Sequence, residues 1–180
     1  MSEASYNVVL LIEQPLSKQD ALQVRGLHED VEEQVRYHVL LPVEDAVARV
    51  ESAMGSLAAS EVLASPALVM DDMNLEDVQR ELLEEARENL TGCLKRLTDT
   101  GADATGEIVS IDPIEALAAK VSAVDGREAI ILTRPHVVSE FFHLDWTSRA
   151  RRKIGVPVLH LLEHENFDEQ AGGGEGVSGV

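Results

Sequence analysis

The sequence predicts an α/β fold in which helices cover both faces of a parallel sheet. Short apolar runs rich in Val, Ile and Leu alternate along the chain with longer amphipathic segments, the order expected of parallel strands joined by crossover helices. Hydrophobic residues make up 44% of the 180 residues, whereas aromatic residues make up only 3%, a mixture typical of strands that are buried on both faces. A chain of this length suits one domain with one core.

The amino-terminal part of the chain predicts a strand, a helix and a second strand. Residues 6–12 and 37–43 are apolar runs rich in β-branched side chains, which predicts buried strands. Pro42 indicates that the second strand ends there, because proline has no N–H for a sheet ladder. Between these strands, residues from Ser17 to about Val35 predict a helix whose inward-facing side chains are Ala21, Leu22 and Val24.

Residues 44–73 break the regular pattern, and we interpret them as an insertion. Glycine, serine and proline interrupt the helical spacing of its apolar residues. The helix that follows is clearer, since Asn74 is a good N-cap and apolar side chains then recur every three or four residues as far as Leu97. Gly101 is expected to take the left-handed conformation that ends this helix.

The rest of the chain predicts three more strands and two more helices. The strands are expected at residues 104–110, 128–133 and 157–162, and the helices at residues 113–124 and 139–154. Asp112 as N-cap and Pro113 at the first helical position start the shorter helix, and Gly126 ends it. The domain is therefore expected to span residues 1–162, followed by a flexible, acidic and glycine-rich tail at residues 163–180.

Charge and composition argue against several classes of partner. The net charge of −18, from 33 acidic and 15 basic residues, repels nucleic acids and anionic membranes, so we expect neither as a partner. Cys93 is the single cysteine, which suits a reducing compartment. The sequence contains no signal-peptide pattern at its first residues and no apolar run of about 20 residues. These observations together predict a cytoplasmic protein.

A ligand site in such a fold is expected at the carboxyl ends of the first and fourth strands, where the order of the strands reverses. The candidate residues are Glu13, Val43, Thr133 and Arg134. Glu13 either meets a ligand or a metal ion there or simply faces water. The turn after Thr133 has no glycine, and Pro135 has no N–H to offer a phosphate. Arg134 is the residue of this turn that would attract an anion.

Three segments resemble the universal stress protein family, and the resemblance covers roughly residues 6–162. Residues 8–22 look like the family's first strand and helix, with Glu13 where the family usually has an aspartate. Residues 129–134 and 155–159 look like its fourth and last strands. The resemblance implies a Rossmann-like sheet of the adenine nucleotide alpha hydrolase-like type, with five parallel strands in the order 3-2-1-4-5. It also implies a homodimer, often formed through the last strand, and a role in stress physiology.

One branch of that family binds ATP through a motif of the form G-x2-G-x9-G-[ST] after the fourth strand. On this chain its glycine positions fall at Pro135, at Val138 and near Leu144, and none of them is a glycine. We therefore assign no nucleotide-binding residue from the motif and expect no cofactor. ATP or AMP would bind only if a different loop held it. The histidines suggest no metal site, since His160 and His164 would lie about 13 Å apart along an extended strand.

The sequence thus predicts a non-enzymatic, universal stress-like protein that acts as a homodimer through contacts with a protein partner that it does not identify. No arrangement of nucleophile, base and acid typical of a catalytic site is evident. The alternative is a small-ligand sensor that binds ATP, AMP or cyclic AMP in the cleft at the carboxyl ends of the strands. An adenine-nucleotide hydrolase is a third and weaker hypothesis, because no general base or metal set supports it.

Overall fold

The computed structural model describes residues 5–43, 75–133 and 150–162. In this part of the chain, strands and helices follow one another in the order β1 (Tyr6–Ile12), α1 (Lys18–Gly26), β2 (Val35–Pro42), α2 (Leu75–Asp99), β3 (Asp103–Val109), α3 (Pro113–Ala123), β4 (Glu128–Thr133) and β5 (Val158–Leu162). All neighbouring strands are parallel, and they form one sheet in the order β3-β2-β1-β4-β5. The predicted fold class and the strand order that the resemblance implied are both confirmed.

Strand β1 lies at the centre of the sheet and shows why the strands are apolar on both sides. It pairs with β2 and with β4, and residues 8–12 are completely buried. Val8 and Leu10 belong to a core shared with α1 and α2, whereas Val9 and Leu11 belong to a second core shared with α3. Because both faces of the sheet are covered, alternation of polar and apolar residues is lost.

Helix α1 is shorter than the sequence predicted, and one residue expected to face the core faces solvent instead. It begins with a capping box in which Ser17 Oγ accepts from Asp20 N at 3.1 Å and Asp20 Oδ2 accepts from Ser17 N at 2.7 Å. The helix ends at Gly26, so the expected extension to Val35 is wrong. Leu22, expected to face inward, is 53% exposed. The helix packs against the sheet through Ala21 and Val24 instead.

Helix α2 packs closely against β3 at a glycine. A Cβ atom on Gly106 would lie 2.7 Å from Leu90 Cδ1 and 3.2 Å from Leu94 Cδ2. Cys93, on the same helix, is buried, and its Sγ accepts from the backbone N–H of Leu16 at 3.2 Å. The helix is followed by Gly101 at φ +83°, which confirms the predicted left-handed position.

Helix α3 begins as the sequence predicted and ends slightly differently. Asp112 Oδ1 accepts from the backbone N–H groups of Ile114 at 2.9 Å and Glu115 at 3.1 Å, which confirms the N-cap. At the other end, the left-handed residue is Asp125, with φ 51°. Gly126 follows it and donates its N–H to Val121 O at 2.8 Å, closing the turn into β4.

Several predictions fall on residues that lie outside the described part of the chain. These include the Asn74 cap, the insertion at residues 44–73, the tail at residues 163–180 and most of the helix expected at residues 139–154, of which residues 150–153 are described and helical. The proposed domain boundaries therefore remain predictions. No helix in the described ranges has the length and apolar character needed to cross a bilayer.

Candidate functional site

A cleft lies at the carboxyl-terminal edge of the sheet, where β1 and β2 end beside α2. Its volume is about 160 Å³. The lining residues come from the ends of the two strands and from one face of the helix: Glu13, Gln14, Pro15, Leu41, Pro42, Val43, Leu82, Glu85, Ala86 and Asn89. The structure therefore brings two of the predicted site residues, Glu13 and Val43, to the same cleft.

Backbone hydrogen bonds fix the strand ends that carry these two residues. The N–H of Glu13 donates to Leu132 O at 3.1 Å, and the N–H of Val43 donates to Val109 O at 2.9 Å. Both bonds continue the ladders of the sheet beyond its regular strands. The cleft is therefore built on rigid backbone at its strand side, which is the arrangement expected at the edge of an open α/β sheet.

The chemistry of the cleft combines an apolar wall with amide and carboxylate groups. Leu82 and Ala86 of α2 form part of the apolar wall, and Asn89 and Glu85 of the same helix add polar groups. Among the described lining residues, none is lysine or arginine. The sequence did not predict that residues of α2 would line the cleft. Which residues of this helix lie beside the strand ends is set only by tertiary packing.

Neither of the other two predicted site residues is among the described lining residues of this cleft. Thr133 is 1% exposed, and a hydrogen bond of 2.7 Å joins its Oγ1 to His160 Nε2 on the neighbouring strand β5. Arg134 lies outside the described residues. Within the described ranges, no three histidine, cysteine or carboxylate side chains come together in a way that would hold a metal ion.

A second polar cluster, at the amino-terminal edge of the sheet, was not predicted. We call it the amino-edge cluster; it consists of Tyr6, His28, Tyr37 and Glu128. His28 is 4% exposed; its Nε2 is hydrogen-bonded to Glu128 Oε1, and its Nδ1 lies 2.9 Å from the Tyr37 hydroxyl. Burial raises the pKa of Tyr37 to about 12. Burial, and then the Glu128 charge, also raises the pKa of Tyr6.

His38 is a further buried polar residue, on the face of the sheet that α3 covers. Its Nε2 lies 3.1 Å from Asn7 Oδ1 and its Nδ1 lies 3.2 Å from Thr105 Oγ1. Burial lowers the pKa of His38, and the positive charges of Lys120 and Arg36 add to this effect. Because both ring nitrogens have polar neighbours inside the fold, His38 is a satisfied core residue.

Comparison with known proteins gives a consistent fold. No protein-family model matches the sequence, and no curated protein matches it significantly. Among solved structures, universal stress protein UspA from Lactobacillus plantarum is 14% identical and superposes with a TM-score of 0.55, covering 88% of this chain and 99% of its own. A universal stress protein family member from Burkholderia pseudomallei is 15% identical with a TM-score of 0.51, covering 87% and 96%.

A third similar structure is the universal stress protein from Archaeoglobus fulgidus in complex with dAMP. It is 13% identical to this chain, with a TM-score of 0.50, and the match covers 86% of this chain and 97% of that protein. The similarity in each case extends over nearly the whole of the other protein. The chain has the fold of the universal stress protein family.

Proposed function

We propose that this protein is a universal stress-like protein of the cytoplasm that acts in a stress response as a homodimer, through protein contacts and without the ATP binding of the nucleotide-binding branch. The observation that carries the proposal is the size of the cleft at the carboxyl-terminal edge. Its volume of about 160 Å³ is below the roughly 300 Å³ at which sites for small organic ligands begin. The glycine-free turn after Thr133 supports the same conclusion from the sequence.

The alternative function is a sensor that binds ATP, AMP or cyclic AMP in the same cleft. It is favoured by the dAMP complex of the Archaeoglobus fulgidus protein, which has the same fold. Glu13 and Val43, at the ends of adjacent strands, would then contact the nucleoside part of the ligand. The two functions differ in a single measurable property, which is whether an adenine nucleotide stabilises the folded chain.

We expect the melting temperature of the full-length protein to be unchanged by ATP, AMP or cyclic AMP. A nucleotide present at 100 times its dissociation constant would add about 2.7 kcal/mol to the free energy of unfolding, or roughly 5–10 °C for a chain of this size. Differential scanning fluorimetry with each nucleotide, and with sodium phosphate as the ionic control, measures this. A shift of that size with one nucleotide and not with phosphate would establish the sensor instead.

The absence of enzymatic activity is proposed from the surroundings of the hydroxyl–imidazole pair that joins β4 and β5. Thr133 and His160 are hydrogen-bonded at 2.7 Å, a geometry that in other settings activates a hydroxyl nucleophile. Here the hydroxyl-bearing residue is 1% exposed, so a substrate has no access to it in this conformation. The pair instead ties β5 to β4 beyond their backbone ladder.

A homodimer through β5 is supported by the position of this strand at one edge of the sheet. Ala129 N–H donates to Pro157 O at 2.9 Å. Because the backbone groups of a parallel strand point alternately to its two sides, the N–H and C=O of Val158 are directed away from β4. Edge strands commonly pair through such groups with a second chain, and a second copy of this chain would pair with β5 in this way.

We expect Val158→Pro to be monomeric and Val158→Ala to remain dimeric. Both substitutions remove the valine side chain, but the proline alone removes the outward N–H. Light scattering at micromolar concentration measures the mass, which is 19.6 kDa for one chain and twice that value for a dimer. A monomeric wild-type protein, or equal masses for the two variants, would contradict dimerisation through β5.

A further inference from the structure

A cavity of about 300 Å³ lies at the amino-terminal edge of β2 and β3, at the opposite end of these strands from the cleft described above. Its volume reaches the lower end of the range for small-molecule sites. The lining residues that matter here are Arg25, Val31, Glu33, Val35, Ala102 and Asp103. Arg25 comes from the last turn of α1, and the others come from the first residues of β2 and β3 and from the segments that lead into these strands.

Arg25 differs from the other partly buried basic residues of the described chain. Arg36 pairs with Asp103 through Nε and Oδ2 at 2.7 Å, and Lys120 pairs with Glu107 through Nζ and Oε2 at 2.9 Å. Arg25 instead donates Nη1 to a backbone carbonyl, that of His28, at 3.3 Å, and its side chain also donates to the Tyr37 hydroxyl. Within the described ranges, no carboxylate forms an ion pair with it, in a chain that has 33 acidic and 15 basic residues.

The two carboxylates that line the cavity are already neutralised by other arginines. Asp103 is paired with Arg36, and Glu33 lies 3.5 Å from Nη2 of Arg127. The charge of Arg25 is therefore the unbalanced one at this cavity. A guanidinium group has five N–H donors in a planar fork that matches a carboxylate, so Arg25 has donors for a ligand beyond those that bond the His28 carbonyl and the Tyr37 hydroxyl.

The other walls of the cavity limit the kind of anion that fits. Val31, Val35 and Ala102 form an apolar wall, which favours a ligand with an apolar body. Since Glu33 and Asp103 are paired with other arginines, the charge of Arg25 is balanced by one negative charge on the ligand, and a second negative charge would have no partner. These properties together select one carboxylate group attached to a compact hydrocarbon part.

We propose that this cavity binds a small monocarboxylate, with its carboxylate on the Arg25 guanidinium and its apolar body against Val31, Val35 and Ala102. The position of Arg25 near the end of α1 is by itself favourable for the helix dipole, but that role requires neither the cavity nor the missing carboxylate partner. The site is separate from the cleft at the carboxyl-terminal edge. Its occupation would therefore be independent of whether an adenine nucleotide binds there.

The proposal is tested by titrating the ¹⁵N-labelled full-length chain with sodium butyrate, sodium acetate and sodium phosphate, with sodium chloride as the ionic control. We expect butyrate to shift the amide signals of Gly101, Ala102 and Asp103 saturably. Acetate should bind several-fold more weakly, because it lacks the methylene groups that would contact the apolar wall. Phosphate should bind more weakly than butyrate, because it has no apolar body and carries more negative charge.

Three variants connect the binding to Arg25. Arg25→Gln is expected to lose at least about tenfold in butyrate affinity, since it removes hydrogen bonds to a charged group. Arg80→Gln removes an arginine charge near the start of α2, whereas the cavity lies beyond the end of that helix. This variant should bind butyrate like the wild type. Asp103→Asn removes a negative charge from the wall and should bind butyrate more tightly, which provides a second test if Arg25→Gln does not fold.

Two sets of results would overturn the proposal. The first is a butyrate response that sodium chloride reproduces, or the absence of any saturable response. The second is equal butyrate affinity in the wild type and in folded Arg25→Gln, or weaker binding by Asp103→Asn. Either result would mean that Arg25 does not hold a carboxylate in this cavity.

Discussion

The Gly106→Val substitution is expected to lower the free energy of unfolding by about 2–3 kcal/mol, because it overpacks the contact between β3 and α2. A Cβ atom at this position would lie 2.7 Å from Leu90 Cδ1 and 3.2 Å from both Leu94 Cδ2 and the backbone oxygen of Val39. The two leucines would have to move away from the sheet, and the carbonyl is fixed in the β2–β3 pairing. For a chain of this length, the melting temperature should fall by about 4–12 °C.

The intrinsic preference of valine for strands makes this a stringent test. If strand propensity dominated at position 106, Gly106→Val would stabilise the protein instead of destabilising it. Gly92→Ala is the matched control on α2. Its Cβ would meet Arg96 Nη1 at 2.9 Å, which is the mobile end of an exposed side chain, so we expect a gain of about 0.5–1 kcal/mol from helix propensity. Equal signs for the two variants would contradict this account of the glycine.

The sequence predicted the strands accurately because their pattern is local and strong. Four apolar runs indicate strands covered on both faces, whereas β3 is more polar and partly exposed. Each of the five observed strands begins and ends within two residues of its expected position. Asp112 and Gly101 were predictable for a similar reason, since a cap depends on a few neighbouring residues. The strand order, in contrast, was obtained from the family resemblance.

The end of α1 was not predictable from the same patterns. The residues after Gly26 include His28, which turns inward and is buried at the sheet edge, and the chain there leaves the helix to reach β2. Leu22 was expected to face the core as a large apolar residue. It is exposed because the small surface that α1 buries is already taken by Ala21 and Val24.

The candidate site was only partly predictable, because some of its residues lie far apart in the sequence and meet only through tertiary packing. Glu13 and Val43 were predicted because the ends of parallel strands meet at one edge. The lining residues from α2 depend on how that helix crosses the sheet, which hydrophobic spacing alone does not specify. The contact between His28 and Glu128 joins residues 100 positions apart, and it follows only from the pairing of β4 beside β1.

That contact leads to the second large expected effect, in the amino-edge cluster. His28 joins the carboxylate of Glu128 to the buried hydroxyl of Tyr37, and its Nδ1 also lies 3.1 Å from Val24 O. It thereby connects α1 to β2 and β4 through polar contacts of its ring nitrogens. Buried polar groups without partners destabilise a fold by about 1–3 kcal/mol each, so the cluster is stable only as a complete network.

We expect His28→Ala to lower the free energy of unfolding by about 3 kcal/mol, as measured by urea denaturation at neutral pH. The substitution leaves the Tyr37 hydroxyl with a weaker bond of 3.3 Å to Val24 O and with the Arg25 side chain. It leaves the partly buried Glu128 carboxylate with Tyr6 at 3.4 Å. It also creates a cavity in place of a ring that is 4% exposed, so packing and hydrogen bonding act in the same direction.

Two further substitutions separate the network from a general effect of removing a charged or polar side chain. Glu128→Gln keeps an oxygen acceptor for His28 Nε2 and should cost less than His28→Ala, about 1 kcal/mol. Lys95→Ala breaks the exposed pair with Asp99, whose side chains are 73% and 62% exposed, and should change stability by less than about 0.5 kcal/mol because solvent screens the pair. A loss in His28→Ala no larger than that in Lys95→Ala would show that the amino-edge cluster does not stabilise the fold.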